Sequence, residues 1–169
     1  MISLKKNDQG FTIVELLIVI VVIGILALLV ITTYGGIQAK ARNAKRQTDV
    51  KTLQTQIEAF FSQNGYYPNL TDMNSATWRA ANMKSLDSGA IQDPSGSCTA
   101  SATPGTCFGG SGSGVAKQYQ YQAFQSDGAT TCDGASGPTT DQTCAQYTLT
   151  AEFEGTVNGA TSTSVKNLD

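Results

Sequence analysis

Apolar and polar residues are distributed very unevenly along the chain. Between Phe11 and Ile31 almost every side chain is apolar. A stretch of about 20 residues is ~30 Å long as a helix, enough to cross the hydrocarbon core of a bilayer. Its only charged side chain is that of Glu15. Because an ionised group is costly at this depth in a membrane, Glu15 is a candidate functional residue from the pattern alone.

After Gly36 the apolar residues recur every three or four positions, which is typical of a helix with one buried face. Lys45 and Asp49 have the spacing of an ion pair on its polar side. Gly65 and Pro68 are typical of a helix end. We therefore predict one long helix from Phe11 to Gln63, apolar over residues 11–36 and amphipathic over 37–63. The apolar positions of the second part are Ile37, Ala41, Ala44, Val50, Leu53, Ile57, Phe60 and Phe61.

Residues 64–169 are predicted to form a globular domain with strands, because apolar and polar residues alternate in its C-terminal half. Asn158-Gly159 predicts a type I′ hairpin before a last strand near Ser162–Leu168. The predicted fold class is α+β, with the long helix packed on a C-terminal antiparallel sheet. The alternating apolar positions are Tyr119, Tyr121 and Ala123, then Tyr147, Leu149, Ala151 and Phe153.

Composition argues against catalysis and cofactor binding. The 169 residues carry a net charge of −2 and include no His, the commonest acid–base catalyst and metal ligand. No nucleophile–base pair or set of metal ligands stands out in the sequence, so we expect a non-enzyme with no cofactor and no metal. Asp127, Asp133 and Asp141 lie in a Gly-rich region, but their spacing is not that of an EF-hand loop. We expect them to be solvated.

The four cysteines all follow the apolar segment: Cys98, Cys107, Cys132 and Cys144. An even number in this position favours two disulfides formed in an oxidising compartment. Of the three connectivities we favour Cys98–Cys107 and Cys132–Cys144, because each would close one Gly-rich loop. A zinc site is the alternative, although neither spacing is that of a CxxC knuckle.

The residues alone leave three interpretations of the apolar segment: a plain anchor, a removable secretory signal, or a more specialised element. Lys5 and Lys6 before it, and Ala39-Lys40-Ala41 after it, fit a signal peptide, but the apolar run is too long. Basic residues after the segment outnumber those before it. By the positive-inside rule this excess favours an internal C-terminal part, against the predicted disulfides.

The stretch Gly10-Phe11-Thr12-Ile13-Val14-Glu15, between a short basic leader and the apolar run, resembles the class III signal of type IV pilins and type II secretion pseudopilins. The resemblance implies that a membrane peptidase cuts after Gly10 and methylates the new amine of Phe11. Residues 1–10 are then a leader, and the apolar helix stays in the mature protein. The resemblance also implies an N-terminus-in orientation before assembly, which overrides the charge count.

The resemblance further implies a role for Glu15, which lies four residues after Phe11 on the same helical face. Once Phe11 carries a free amine, the carboxylate would pair with the amine of a neighbouring subunit during addition to a filament. One feature departs from many major pilins, which carry a proline near the middle of this helix. Here Thr32–Gly36 contains two adjacent glycines and no proline. We therefore predict a soft point there instead of a proline kink.

Two further segments extend the resemblance. Asn64-Gly65-Tyr66-Tyr67-Pro68 resembles the turn that closes the long helix in many pilins and pseudopilins. Asp93-Pro94-Ser95-Gly96, followed by Tyr119-Gln120-Tyr121, resembles the segment that enters the sheet of pseudopilin-like domains.

Together these features predict a structural subunit of a type IV pilus, a surface filament for adhesion, motility or DNA uptake. The implied partners are further copies in a helical homopolymer, the prepilin peptidase, the pilus assembly platform and the cytoplasmic membrane. The chain would lie in that membrane before assembly and outside the cell afterwards. The alternatives are a pseudopilin of a type II secretion or competence system, and a secreted binding protein with an ordinary signal peptide. Nucleic acid is a possible but unsupported partner, since the basic run Lys40–Lys51 is expected to be a solvated helix face or to contact stacked subunits.

Overall fold

The computed structural model describes residues 10–96, 107–110, 118–132 and 144–168, with the side chains of Thr32 and Thr33 left out. The chain forms two compact units, the first ending at Gln38 and the second beginning at Ala39. Helix α1, Ile13–Asn64, contributes to both. We call its residues 13–38 the apolar half and its residues 39–64 the packed half.

The apolar half exposes large hydrophobic side chains on all of its faces. The exposed fraction of these side chains runs from 48% at Val22 to 86% at Ile13. By length and composition α1 contains a segment able to cross a membrane. The backbone is helical through Gly35 and Gly36, and a Cβ added at either glycine would have no neighbour within 4 Å. The predicted soft point concerns the assembled state and stays a prediction.

The packed half ends at Asn64, one residue after the predicted end at Gln63. Gly65 has φ +78°, the left-handed conformation that glycine adopts without a steric penalty. Its N–H donates to the carbonyl of Phe61 at 2.7 Å. The Asn64 side-chain amide donates to the carbonyl of Phe60 at 2.9 Å. These bonds satisfy carbonyls that lack a partner at the end of the helix.

Two short helices follow that the sequence analysis did not predict, α2 (Leu70–Asn74) and α3 (Ala76–Asn82). Asn69 caps α2: its side chain accepts from the N–H of Asp72 at 2.7 Å, and the Asp72 carboxylate accepts in return from the N–H of Asn69. This capping box was visible in the sequence as Asn-x-x-Asp. A single turn of 3₁₀ helix, Ser88–Ile91, comes next.

The sheet contains β1 (Phe108–Gly109), β2 (Tyr119–Phe124), β3 (Gln146–Val157) and β4 (Ala160–Lys166), in that spatial order. The last three strands are antiparallel, as predicted, and the hairpin between β3 and β4 turns at Asn158 and Gly159, both with positive φ. The sheet as a whole is mixed, because β1 pairs parallel to β2. A strand of two residues has no periodicity by which its direction can be predicted.

The core lies between the packed half of α1 and one face of the sheet, with Met73, Met83 and Ile91 from the connecting segments at its side. Phe153 is only half-buried, although it continues the predicted alternation, because it lies where the β3–β4 register shifts between Glu152 and Val157. The α1 residues in the core are Val50, Leu53, Ile57 and Phe60, and those of β2 and β3 are Tyr119, Tyr121, Ala123, Tyr147, Leu149 and Ala151.

The prediction was wrong for the first turns of the packed half. Ala41 and Ala44 are exposed, whereas Asn43, Arg46 and Asp49 are buried. These three residues continue the same helical stripe as Val50 and Leu53, at three-residue spacing. Apolar periodicity does not predict a buried polar stripe. The burial of such a stripe depends on hydrogen-bond and ion-pair partners elsewhere in the chain.

Candidate processing and assembly site

The predicted cleavage position lies just before α1. Gly10, Phe11 and Thr12 precede the helix, and all three residues are exposed. Phe11, the residue predicted to become the new N-terminus, has 85% of its surface exposed. An exposed, non-helical bond is the kind of site that a peptidase reaches without unfolding regular structure.

Thr12 and Glu15 form a reciprocal cap at the start of α1. The Glu15 carboxylate accepts from the backbone N–H and the hydroxyl of Thr12, both at 2.8 Å. In return the N–H of Glu15 donates to the Thr12 hydroxyl oxygen at 3.3 Å. The pattern Thr-x-x-Glu is the signature of a capping box. The sequence analysis missed this function of Glu15, although Thr12 stands three residues before it.

The capping box gives Glu15 a partner in its own chain. Before cleavage the nitrogen of Phe11 belongs to a peptide bond and carries no charge, so the predicted cation does not yet exist. The pairing of Glu15 with a neighbouring amine therefore stays a prediction. If the pairing occurs, the carboxylate has to share or give up its bonds to Thr12.

A second polar site lies where the packed half meets the rest of its unit. Arg46, with only 2% of its surface exposed, donates to both carboxylate oxygens of Asp93 at 2.6 and 2.8 Å. It also donates to Glu154 at 2.9 Å and to the side-chain oxygen of Asn43 at 2.8 Å. Arg42 donates to the same Glu154 carboxylate at 2.7 Å through Nε. We call these five residues the polar clamp.

The polar clamp also holds the backbone of strand β3. The Asn43 amide donates to the carbonyl of Glu154 at 3.1 Å, and its oxygen accepts from the N–H of Glu154 at 2.9 Å. Asn43 thus bonds to β3 as a neighbouring strand would, beside the irregular register of the β3–β4 pair. The clamp ties α1, the Asp93 turn and β3 together.

Electrostatics in the polar clamp favours the charged forms. Hydrogen bonds from Arg42 and then Arg46 lower the pKa of Glu154 from 4.5 to about 2. Burial acts to raise the pKa of Asp93, but hydrogen bonds from Arg46 and Ser95 outweigh it and the pKa is lowered. The bond to Asp93, which favours the guanidinium, is the largest reason why the pKa of Arg46 is raised. Every ionised group of the clamp has a counter-charge.

These ion pairs change the interpretation of the basic run. Arg42 and Arg46 are neutralised by Glu154 and Asp93. Lys45 pairs with Asp49 at 2.6 Å, as predicted, although Asp49 is buried and also accepts from the Tyr119 hydroxyl at 2.6 Å. Arg46 is therefore not part of a solvated basic face, whereas Lys40, Lys45 and Lys51 of the run are exposed, as predicted. A stripe with this much internal pairing gives little support to a nucleic-acid interface.

The remaining candidate residues lie partly outside the described ranges. Cys107 is disulfide-bonded, but Cys98, its predicted partner, is outside the described residues. Cys132 and Cys144 are buried in the core and carry thiols in the structure, so the predicted bond between them is not confirmed.

Asp127 accepts from the backbone of Ala129 and from Thr130 in a local turn. Asp133 and Asp141 lie outside the described ranges. The described residues contain no cluster of side chains that could hold a metal ion.

Comparison with known proteins bears on the N-terminal region. Residues 5–31 match the model of the prokaryotic N-terminal methylation motif. A type IV major pilin protein PilA of Myxococcus xanthus is 35% identical over 68 residues, 40% of this chain and 31% of that protein. A type II secretion system core protein G of Dickeya chrysanthemi is 34% identical over 65 residues, 38% of this chain and 42% of that protein. The resemblance to type IV pilins and pseudopilins is confirmed.

A protein of the same name from Escherichia coli K12 is 37% identical over 62 residues, covering 37% of this chain and 43% of that protein. The chain thus matches less than half the length of each of these relatives. No solved structure matches it. The family model covers the methylation motif and the first part of α1, and pilin and pseudopilin are both represented among the relatives.

Proposed function

We propose that this chain is a structural subunit of a type IV pilus, assembled from a prepilin that is first inserted in the cytoplasmic membrane. The observation that carries the proposal is the apolar half of α1, whose large hydrophobic side chains are about half or more exposed around the whole helix. Such a surface needs an apolar environment. A membrane supplies it before assembly, and the apolar halves of other copies supply it in a filament.

The same helix explains why processing and assembly would be coupled. Cleavage after Gly10 leaves the apolar half in the chain and creates an amine at Phe11, close to the start of α1. An incoming subunit would bring that amine to the Glu15 carboxylate of a subunit already in place. In a low-dielectric surrounding, an ion pair of this kind would set the register between neighbouring helices.

Mass spectrometry of the mature N-terminus tests the first step. We expect a chain that begins at N-methylated Phe11. A chain that begins at Arg42, after the signal-like Ala39-Lys40-Ala41, would support an ordinary secreted protein and contradict the proposal. A chain that still carries Met1 would contradict it as well.

A pseudopilin is the second candidate, favoured by the relatives named type II secretion system core protein G. Electron microscopy of material sheared from the cell surface distinguishes the two. Long filaments labelled by an antibody to residues 144–168 are expected for a pilus. If sheared material lacks filaments, and deletion of the gene blocks secretion of other proteins, the chain is a pseudopilin.

A further inference from the structure

The second unit contains two buried arginines with very different surroundings. Arg46 has two carboxylate partners in the polar clamp. Arg79, on helix α3, has only 6% of its surface exposed. The hydrogen bond from its side chain goes to the backbone carbonyl of Met73. Within the described residues, no Asp or Glu forms an ion pair with Arg79.

A buried guanidinium without a counter-charge is unusual, because arginine is rarely buried unless it is paired. Burial lowers the pKa of Arg79, whereas the carboxylates around Arg46 raise the pKa of that residue. A guanidinium remains protonated at any physiological pH. Arg79 is therefore positively charged, and the Met73 carbonyl accepts only one of the hydrogen bonds that its guanidinium can donate.

Arg79 lines a pocket of about 430 Å³, within the size range of pockets that hold small molecules. Lys84 and Ser88, whose side chains carry an ammonium group and a hydroxyl group, also line the pocket. The other lining side chains are apolar, among them Met83, Leu86 and Ile91. The pocket thus combines a buried cation, two further donors and an apolar wall.

We propose that this pocket binds a small amphiphilic carboxylate, with the carboxylate on Arg79 and a short apolar chain against Met83, Leu86 and Ile91. Arginine presents its donors in a planar fork that matches a carboxylate. One buried guanidinium suits one negative charge, and the apolar wall suits a ligand with an apolar body. Lys84 and Ser88 would bind the same carboxylate from the polar side.

Methionine methyl groups offer a direct probe, since the sequence contains three methionines. Met83 lines the pocket, whereas Met73 is fully buried in the core. The full chain, labelled with ¹³C-methyl methionine and kept in detergent, is titrated with sodium pentanoate at constant ionic strength. We expect a saturable shift of the Met83 methyl signal that is larger than that of Met73.

The apolar part of the ligand is tested with acetate, which has the same charge. Because each buried CH₂ group strengthens binding about fourfold, pentanoate is expected to bind at least about tenfold more tightly than acetate. If acetate or inorganic phosphate binds as tightly as pentanoate, the proposed ligand class is wrong. The absence of a saturable shift with pentanoate overturns the site itself.

Substitutions separate ligand binding from a purely structural role of Arg79. In Arg79→Met we expect pentanoate binding to weaken by about tenfold or more. The urea midpoint, followed by Trp78 fluorescence, is expected to stay the same or rise, because the buried charge has no ion-pair partner among the described residues. If Arg79→Met does not fold, Lys84→Gln and Ser88→Ala carry the test, because both residues are exposed.

Each of these two substitutions is expected to weaken pentanoate binding about two- to fivefold without a change in stability. The matched control is Lys51→Gln, at an exposed lysine of α1 that does not line the pocket. Unchanged pentanoate binding in Lys84→Gln and Ser88→Ala would contradict the proposed arrangement.

Discussion

The two halves of α1 share one backbone conformation but differ in the burial of their side chains. The apolar half exposes hydrophobic groups on every face and has a single carboxylate, Glu15, bonded to Thr12. The packed half buries one stripe, polar at Arg46 and apolar from Val50 onwards. The packed half finds its partners within the chain, whereas the large hydrophobic side chains of the apolar half are exposed. A helix can therefore have a regular backbone along its whole length while only part of it buries its apolar side chains in the monomer.

The comparison predicts its largest effect at Glu15. Glu15→Ala is expected to abolish filament growth while cleavage after Gly10 continues, which mass spectrometry and electron microscopy would show. The matched variant is Glu15→Gln, since a glutamine still accepts from Thr12 in a capping box but carries no charge. If the ion pair with a neighbouring amine matters, Gln fails as Ala does. Normal filaments from Glu15→Gln would show that Glu15 acts only as a cap.

In the packed half, Arg46→Met is expected to lower the free energy of unfolding by about 3–5 kcal/mol, because it leaves Asp93 buried without its cation. Urea unfolding of the full chain in detergent, followed by the fluorescence of Trp78, measures the change. Arg79→Met is the matched control, at a buried arginine with no carboxylate partner among the described residues. An equal loss of stability in both variants would refute the distinction between the two arginines.

Apolar side chains in the two halves are expected to differ as well. Leu53 is fully buried, so Leu53→Ala is expected to lower the free energy of unfolding by about 2–5 kcal/mol. Leu26 lies in the apolar half with 56% of its surface exposed. Leu26→Ala is expected to change the same quantity by no more than about 0.5 kcal/mol. A large loss of monomer stability from Leu26→Ala would mean that the apolar half contributes to the folding stability of the second unit.

The smallest expected effect is a pH dependence of the polar clamp. The folded-state pKa of Glu154 is about 2, below its ordinary value of 4.5. Its contribution to stability is therefore complete above pH 4.5 and is lost as the pH falls towards 2. Glu154→Gln should remove about 1–2 kcal/mol at neutral pH, since the carboxylate is partly exposed. The unfolding midpoints of the unsubstituted chain and of Glu154→Gln should converge as the pH falls from 7 to 3. A constant difference between them would contradict a low pKa of Glu154 in the folded state.

Local patterns predicted the elements whose causes are local. The extent of α1 follows from apolar and amphipathic periodicity, its end from Gly65, and the β3–β4 turn from Asn158-Gly159. The short helices α2 and α3 also had local signals, in the caps Asn69 and Ser75, but these lay in a stretch without clear periodicity. The capping box of Thr12 and Glu15 has a local signal as well, the Thr-x-x-Glu spacing, which the sequence analysis did not use.

The sequence by itself determined that the chain has a membrane-compatible helix with a methylation motif, followed by a domain built on the rest of that helix. Only the tertiary structure decided that Arg46 is buried and that Arg79 lines a pocket to which the described residues contribute no carboxylate. Arg46 and Asp93 are 47 residues apart, and Arg46 and Glu154 are 108 apart. The burial of a charge depends on partners brought together over such separations. No local pattern around either arginine distinguishes Arg46, which has carboxylate partners, from Arg79, which has none among the described residues.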